Sequence, residues 1–210
     1  MIYLDNASTS WPKPPAVAEA MSRYLEELGA SPGRGGYGPA VEAERLVENT
    51  RRELAKLFDV DDANRVVLCF NCTDALNMAI KGVLAEGDHV ITTMFEHNSV
   101  SRPLRRMADV GFVEVSCVAP GGDGIIDPQA IARAMKPQTR LVVCTHASNV
   151  LGTIQPVAEI GALVRQHEAL FLVDAAQSAG VLPISAEAMG IDLLAFSGHK
   201  ALLGPPGTGG

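Results

Sequence analysis

The chain has 210 residues, and 24 acidic against 17 basic side chains give a formal charge of −7. With 47% hydrophobic and 20% charged residues it has the balance of an ordinary globular protein, long enough for one large core with at most a small appendage. A pI of about 5.2 without a Lys/Arg cluster argues against nucleic acid or an anionic membrane as the main partner, and no apolar run approaches the roughly 18 residues of a membrane span.

Residues 1–39 read as an arm. Pro12, Pro14, Pro15, Pro32 and Pro39, with the glycines of 31–39, bracket one amphipathic helix near 16–28. That layout suits a segment crossing a surface or a partner better than a core element. The opening residues carry Asp5 and no basic stretch, so no signal peptide is expected. Four cysteines are too few for a disulfide scaffold of this size, which makes a reducing cytoplasm the expected compartment.

From residue 40 onward helical patterns alternate with short apolar runs. A helix over 41–58 places Val47, Thr50, Leu54, Leu57 and Phe58 on one stripe. A strand at 66–70 leads into a helix over 72–85, followed by a strand at 89–93, a helix over 98–110 and a strand at 112–117. Next comes a helix over 127–135, with Asp127 as N-cap and Pro128 in its first turn. A strand at 141–145, a helix over 157–167 and strands at 170–174 and 193–197 complete the series. Most of these runs are near-continuous in apolar residues, as strands covered on both faces must be. The pattern predicts an α/β fold of three layers: a mostly parallel sheet with helices on both faces, one large domain over 40–210. The chain stops in the glycine-rich turn 204–210, so we expect this domain to be incomplete at its C-terminus.

In such sheets ligands sit beyond the carboxyl ends of the strands. There the sequence places Asn71-Cys72-Thr73, Glu96-His97-Asn98, His146 to Asn149, Asp174 to Gln177, and Ser197 to Lys200. One carboxylate, two or three histidines, a lysine and several amides are thus expected in one crevice. The turn at 71–73 opens a helix, whose free N–H groups and dipole favour an anion, although Asn71 or Thr73 could equally serve only as a cap. Asp174, ending an apolar strand, is costly to bury without a cationic partner.

Five motifs carry a resemblance: Tyr-Leu-Asp-Asn-Ala at 3–7, Glu-His-Asn at 96–98, Ser-Asn-Val-Leu-Gly at 148–152, Asp-Ala-Ala-Gln at 174–177 and Ser-Gly-His-Lys at 197–200. Together, in this order through the whole chain, they resemble the class V aminotransferases, pyridoxal-phosphate enzymes of fold type I, and most of all the cysteine desulfurase branch. The resemblance implies that Lys200 forms the Schiff base, that Asp174 pairs with the pyridinium nitrogen and that His97 stacks on the ring. It assigns Gln177 and Asn149 to the phenolic oxygen, and Thr73, the Cys72 backbone, Ser197 and His199 to the phosphate. It also implies a homodimer, a small amino-acid substrate such as L-cysteine, a sulfur-acceptor protein, and release of alanine and a persulfide. Selenocysteine lysis, transamination and β-elimination are the alternatives within the family; outside it, a chain that only binds cofactor or a partner is the reading favoured for these 210 residues themselves, though not for a longer parent. Relatives continue past the lysine with a small domain, a substrate-carboxylate arginine and a mobile loop cysteine, none of which falls within these residues. Cys72 and Asp74 stand where relatives often carry a smaller residue and a glutamate.

Other signals point elsewhere. The glycine-rich end lacks the Lys-Ser/Thr pair of a phosphate-binding Walker loop. Cys69 and Cys72 form a C-x-x-C, but Cys69 lies in a strand pattern and two buried apolar thiols are expected. The histidines show no metal-ligand spacing, so no metal is expected.

Overall fold

The computed structural model describes residues 2–33 and 35–210. Its sheet consists of β1 (His89–Thr93), β2 (Glu114–Val118), β3 (Thr139–Thr145), β4 (Leu170–Asp174) and β5 (Leu193–Ala195). All pairings are parallel, in the order β2-β1-β3-β4-β5. Around it lie α1 (Pro15–Arg23), α2 (Gly38–Leu57), α3 (Cys72–Val83), α4 (Asn98–Asp109), α5 (Pro128–Ala134) and α6 (Val157–Val164). The parallel α/β fold expected from the apolar alternation is the fold observed.

Strand periodicity explains why two cores form. Successive strand residues point to opposite faces. Leu141 and Val143 of β3, with Leu172 of β4, join Leu76 and Ile80 of α3 and Val100 and Leu104 of α4. Val142 and Cys144, with Phe171 and Val173, join Ile131 of α5 and Ile160 and Val164 of α6. A chain that must fill both sides keeps polar residues to the ends of β3 and β4, hence the apolar runs between them.

The connection order creates the crevice. β2 lies on one side of β1 and β3 on the other, so the chain reverses direction across the sheet between β1 and β3. Thr145 pairs with Asp174, and Asp174 with Ala195, so the carboxyl ends of β3, β4 and β5 are level.

Several expectations need correction. Residues 66–70 are not a regular strand: only Cys69 bridges, antiparallel, to Gly209, and Phe70 is 74% exposed. Their apolar run lies along an edge, where periodicity cannot reveal a missing partner. β5 ends at Ala195, after which Phe196 and Ser197 pair antiparallel with 209–210. On α2, Leu54 and Phe58 reach the core, whereas Leu57 faces solvent and Ala40, Ala43 and Ala55 are the buried residues. The arm helix is shorter than its pattern, passing at Tyr24–Leu28 into a π-turn that ends on Gly29 with φ +53°.

Candidate active site

Local structure aims each side chain. Asn71 caps α3, its Oδ1 accepting the Asp74 N–H at 2.8 Å. The first N–H groups of a helix have no partner within it, and those of Cys72 and Thr73 find none elsewhere among the described residues. His97 caps α4: its Nδ1 accepts from the Ser99 N–H at 3.2 Å and lies 2.8 Å from Ser99 Oγ. Both caps close on the side of the sheet where β4 ends.

Asp174, the last residue of β4, is 3% exposed. Its Oδ1 accepts the Ala176 N–H at 2.9 Å and the Cys72 thiol at 3.3 Å. No donor among the described residues reaches its Oδ2. Lys200 follows in the turn after β5, and its Nζ has no acceptor among the described residues. Thr73, Asn149, Gln177, Ser197 and His199, with Cys72, His97, Asp174 and Lys200, line one cavity of about 410 Å³. The nine candidate residues are thus neighbours in space. His146, just after β3, does not line the cavity: the residue is buried, its Nδ1 has no partner among the described residues, and burial lowers its pKa.

The sequence reading missed three features. The arm forms a wall, since Ala7 and Ser8 line the cavity and Gln177 Nε2 donates to the Ala7 carbonyl at 2.9 Å. The arm also grips the peptide before Lys200. The His199 carbonyl accepts from the Ser10 N–H at 3.2 Å, the Thr9 and Ser10 hydroxyls at 3.0 and 3.1 Å, and the Lys13 ammonium. Burial, then the charges of Lys200 and Lys13, depress the His199 imidazole's pKa. The third is Glu96. Its Oε1 accepts from Thr93 Oγ1 at 2.7 Å and the Thr145 N–H at 2.8 Å, tying β1 to β3 at the switch point. Its Oε2 is buried and has no partner among the described residues. Burial pushes this carboxyl up to about 8, against the two hydrogen bonds, with the charge of Asp174 adding to the rise. Burial thus favours the neutral acid form of Glu96 far above the usual carboxylate range.

Comparison with known proteins gives the family. The sequence profile of the aminotransferase class-V family matches residues 2–210. The chain belongs to that family. A probable cysteine desulfurase of Methanothermobacter thermautotrophicus is 40% identical over 209 residues, covering 99% of this chain and 52% of the relative. Among solved structures, SspA in complex with cysteine superposes with a TM-score of 0.93 at 32% identity, over 100% of this chain and 60% of that one. The apo cysteine desulfurase of Thermococcus onnurineus NA1 gives 0.91 at 33% identity, over 99% and 52%. The chain spans about half the length of the curated relatives it matches.

Class V aminotransferases depend on pyridoxal phosphate, and the donor set of this cavity suits that group. A buried carboxylate with one unpaired oxygen matches a protonated ring nitrogen. Two free helix N–H groups match a phosphate. An unpaired primary amine matches an aldehyde. Among the described residues no cluster of His, Cys, Asp or Glu could hold a metal ion, and no helix is long and apolar enough to cross a membrane.

Proposed function

We propose that this class V chain carries the cofactor site of an enzyme that removes sulfur from L-cysteine. L-cysteine and an accepting thiol become L-alanine and a persulfide. The observation that carries this reading is the convergence of Lys200, Asp174 and the open amino end of α3 on one cavity, in a chain whose relatives include cysteine desulfurases.

Bound pyridoxal phosphate supplies an electron sink for the pair left at the substrate α-carbon. Asp174 Oδ2 would hold the proton on the ring nitrogen through a charge-assisted bond strengthened by burial. Lys200 Nζ, the lysine that lines the cavity, would hold the aldehyde and would carry the α-proton; Lys56 and Lys81 lie on helices and do not line it. His97 takes the ring face, with Ser99 fixing its imidazole and leaving Nε2 as a second acid or base. Asn149 and Gln177 address the phenolic oxygen. The Cys72 and Thr73 N–H groups, the Thr73 hydroxyl, Ser197 and His199 hold the phosphate.

In this reading residues 1–39 are an arm closing one wall, and residues 40–210 are the cofactor-binding domain. A homodimer fits the apolar Val150, Leu151, Ile154 and Val181, which stand exposed beside the cavity. A sulfur-acceptor protein is part of the same proposal, as is a reducing, cytoplasmic setting, supported by four cysteines that are all free thiols. Incubating the purified chain with pyridoxal phosphate, L-cysteine and dithiothreitol tests the reaction. Alanine and sulfide are expected in equal amounts. Pyruvate with ammonia in place of alanine would overturn the assignment; a chain that retains its cofactor and forms no alanine would be the cofactor-binding alternative.

A further inference from the structure

Helix and strand periodicity meet at one pair of atoms. Cys72, Leu76 and Ile80 recur every four residues and form the buried face of α3. Leu172 and Asp174, two apart on β4, point to the same side as that face. The first residue of the helix therefore lies against the last residue of the strand, and the Cys72 Sγ is 3.3 Å from Asp174 Oδ1. Cys72 is 4% exposed and Asp174 3%.

We propose that Cys72 is a positioning residue for Asp174: its thiol and the Ala176 N–H occupy Oδ1 together, fix the plane of the carboxyl group and present Oδ2 to the cavity. The inference rests on the reading of that cavity as a pyridoxal-phosphate site. A carboxylate oxygen held by a single donor can still swing about the side chain's last bond. Two donors from different elements, one on a helix and one in the turn after the strand, remove that freedom. The thiol acts here as a donor, because burial, then the charge and hydrogen bond of Asp174, hold its pKa well above the ordinary thiol value. That role differs from the redox or apolar one that its C-x-x-C spacing suggests, and Cys69 takes no part in it. A smaller residue at 72 fills the same helix position and offers no donor.

Two measurements on the whole chain test the proposal. The first is the infrared S–H stretch of the cofactor-free protein, with Cys72→Ala identifying the band. The Cys72 band is expected at the low frequency of a hydrogen-bonded thiol, moving up in Asp174→Asn, where the acceptor loses its charge. The second is a titration with pyridoxal phosphate. Cys72→Ala is expected to bind it roughly threefold to tenfold more weakly, the worth of one modest hydrogen bond, while Cys72→Ser, which keeps a donor, retains more of the affinity. A band at the free-thiol position that Asp174→Asn leaves unmoved would overturn the proposal, as would equal affinity in Cys72→Ala and the parent. A parent chain that took up no pyridoxal phosphate would remove the cofactor reading instead, and the band alone would then decide whether the thiol fixes Asp174.

Discussion

Glu96→Gln is expected to flatten the pH dependence of stability between about pH 4.5 and pH 8. In the folded chain this carboxyl is pushed up from 4.5 to about 8 by burial. Between those values the native state holds a proton that the unfolded chain has lost, so stability falls as pH rises. The stabilising proton is fully present in both states below pH 4.5, and its advantage is gone once pH passes the folded value. At about 1.4 kcal/mol per unit, the decline is on the order of 4 kcal/mol. Glutamine has the same shape, keeps an oxygen for Thr93 Oγ1 and the Thr145 N–H, and never ionises. Relative to their difference near pH 4.5, parent and variant should therefore diverge steadily up to about pH 8, the variant gaining in stability, and run parallel above it. Urea unfolding at five values from pH 5 to pH 9 reads this directly. Parallel curves would mean that Glu96 ionises freely and that its enclosure is wrong.

Gly161→Ala is expected to destabilise the chain by about 3 kcal/mol or more, or to prevent folding. Helix propensity alone gives the opposite sign, since alanine in a helix interior is favoured over glycine by about 1 kcal/mol. Packing decides. A Cβ on Gly161 would overlap the Met189 carbonyl oxygen and lie 3.0 Å from its carbon and 3.3 Å from Gly190 Cα. These are backbone atoms of a turn anchored by the Ala186 N–H to Phe58 O bond of 2.9 Å and by Arg165 Nη2 to the Glu187 carbonyl. Neither side can yield without α6 lifting from Ile160 and Val164's place in the core. Gly82→Ala is the control. It lies near the end of α3 with nothing within 4 Å of an added Cβ, so propensity should prevail and stability rise by about 0.5–1 kcal/mol. Equal urea midpoints for the two variants would contradict the close packing of α6.

What the sequence disclosed and what it concealed follow from the range of each interaction. β3 and β4 were legible because both faces are buried, and a strand of that kind writes its state into consecutive residues. Their ends followed, and with them Asp174 and the turn to Lys200. The edge segment 66–70 misled because its apolar residues look the same whether or not a neighbouring strand covers them. The grip of Thr9, Ser10 and Lys13 on the His199 carbonyl spans nearly the whole chain, and no local pattern encodes it. Glu96 stood in a quoted motif, yet only the switch between β1 and β3 makes it a buried bridge. His146 shows the converse: a strand-end position alone does not put a side chain in the cavity. The Cys72–Asp174 pair required two periodicities, one helical and one of a strand, to be brought into register by tertiary packing.

The claim that the cavity at the carboxyl ends of the strands holds pyridoxal phosphate through Lys200 is tested most directly by borohydride reduction of the chain with that cofactor, followed by peptide mass spectrometry. The account requires the cofactor's mass on the peptide containing Lys200, and none at other lysines in Lys200→Ala. A folded chain without label, or label spread over Lys13, Lys56, Lys81 and Lys136 equally in parent and variant, would contradict it.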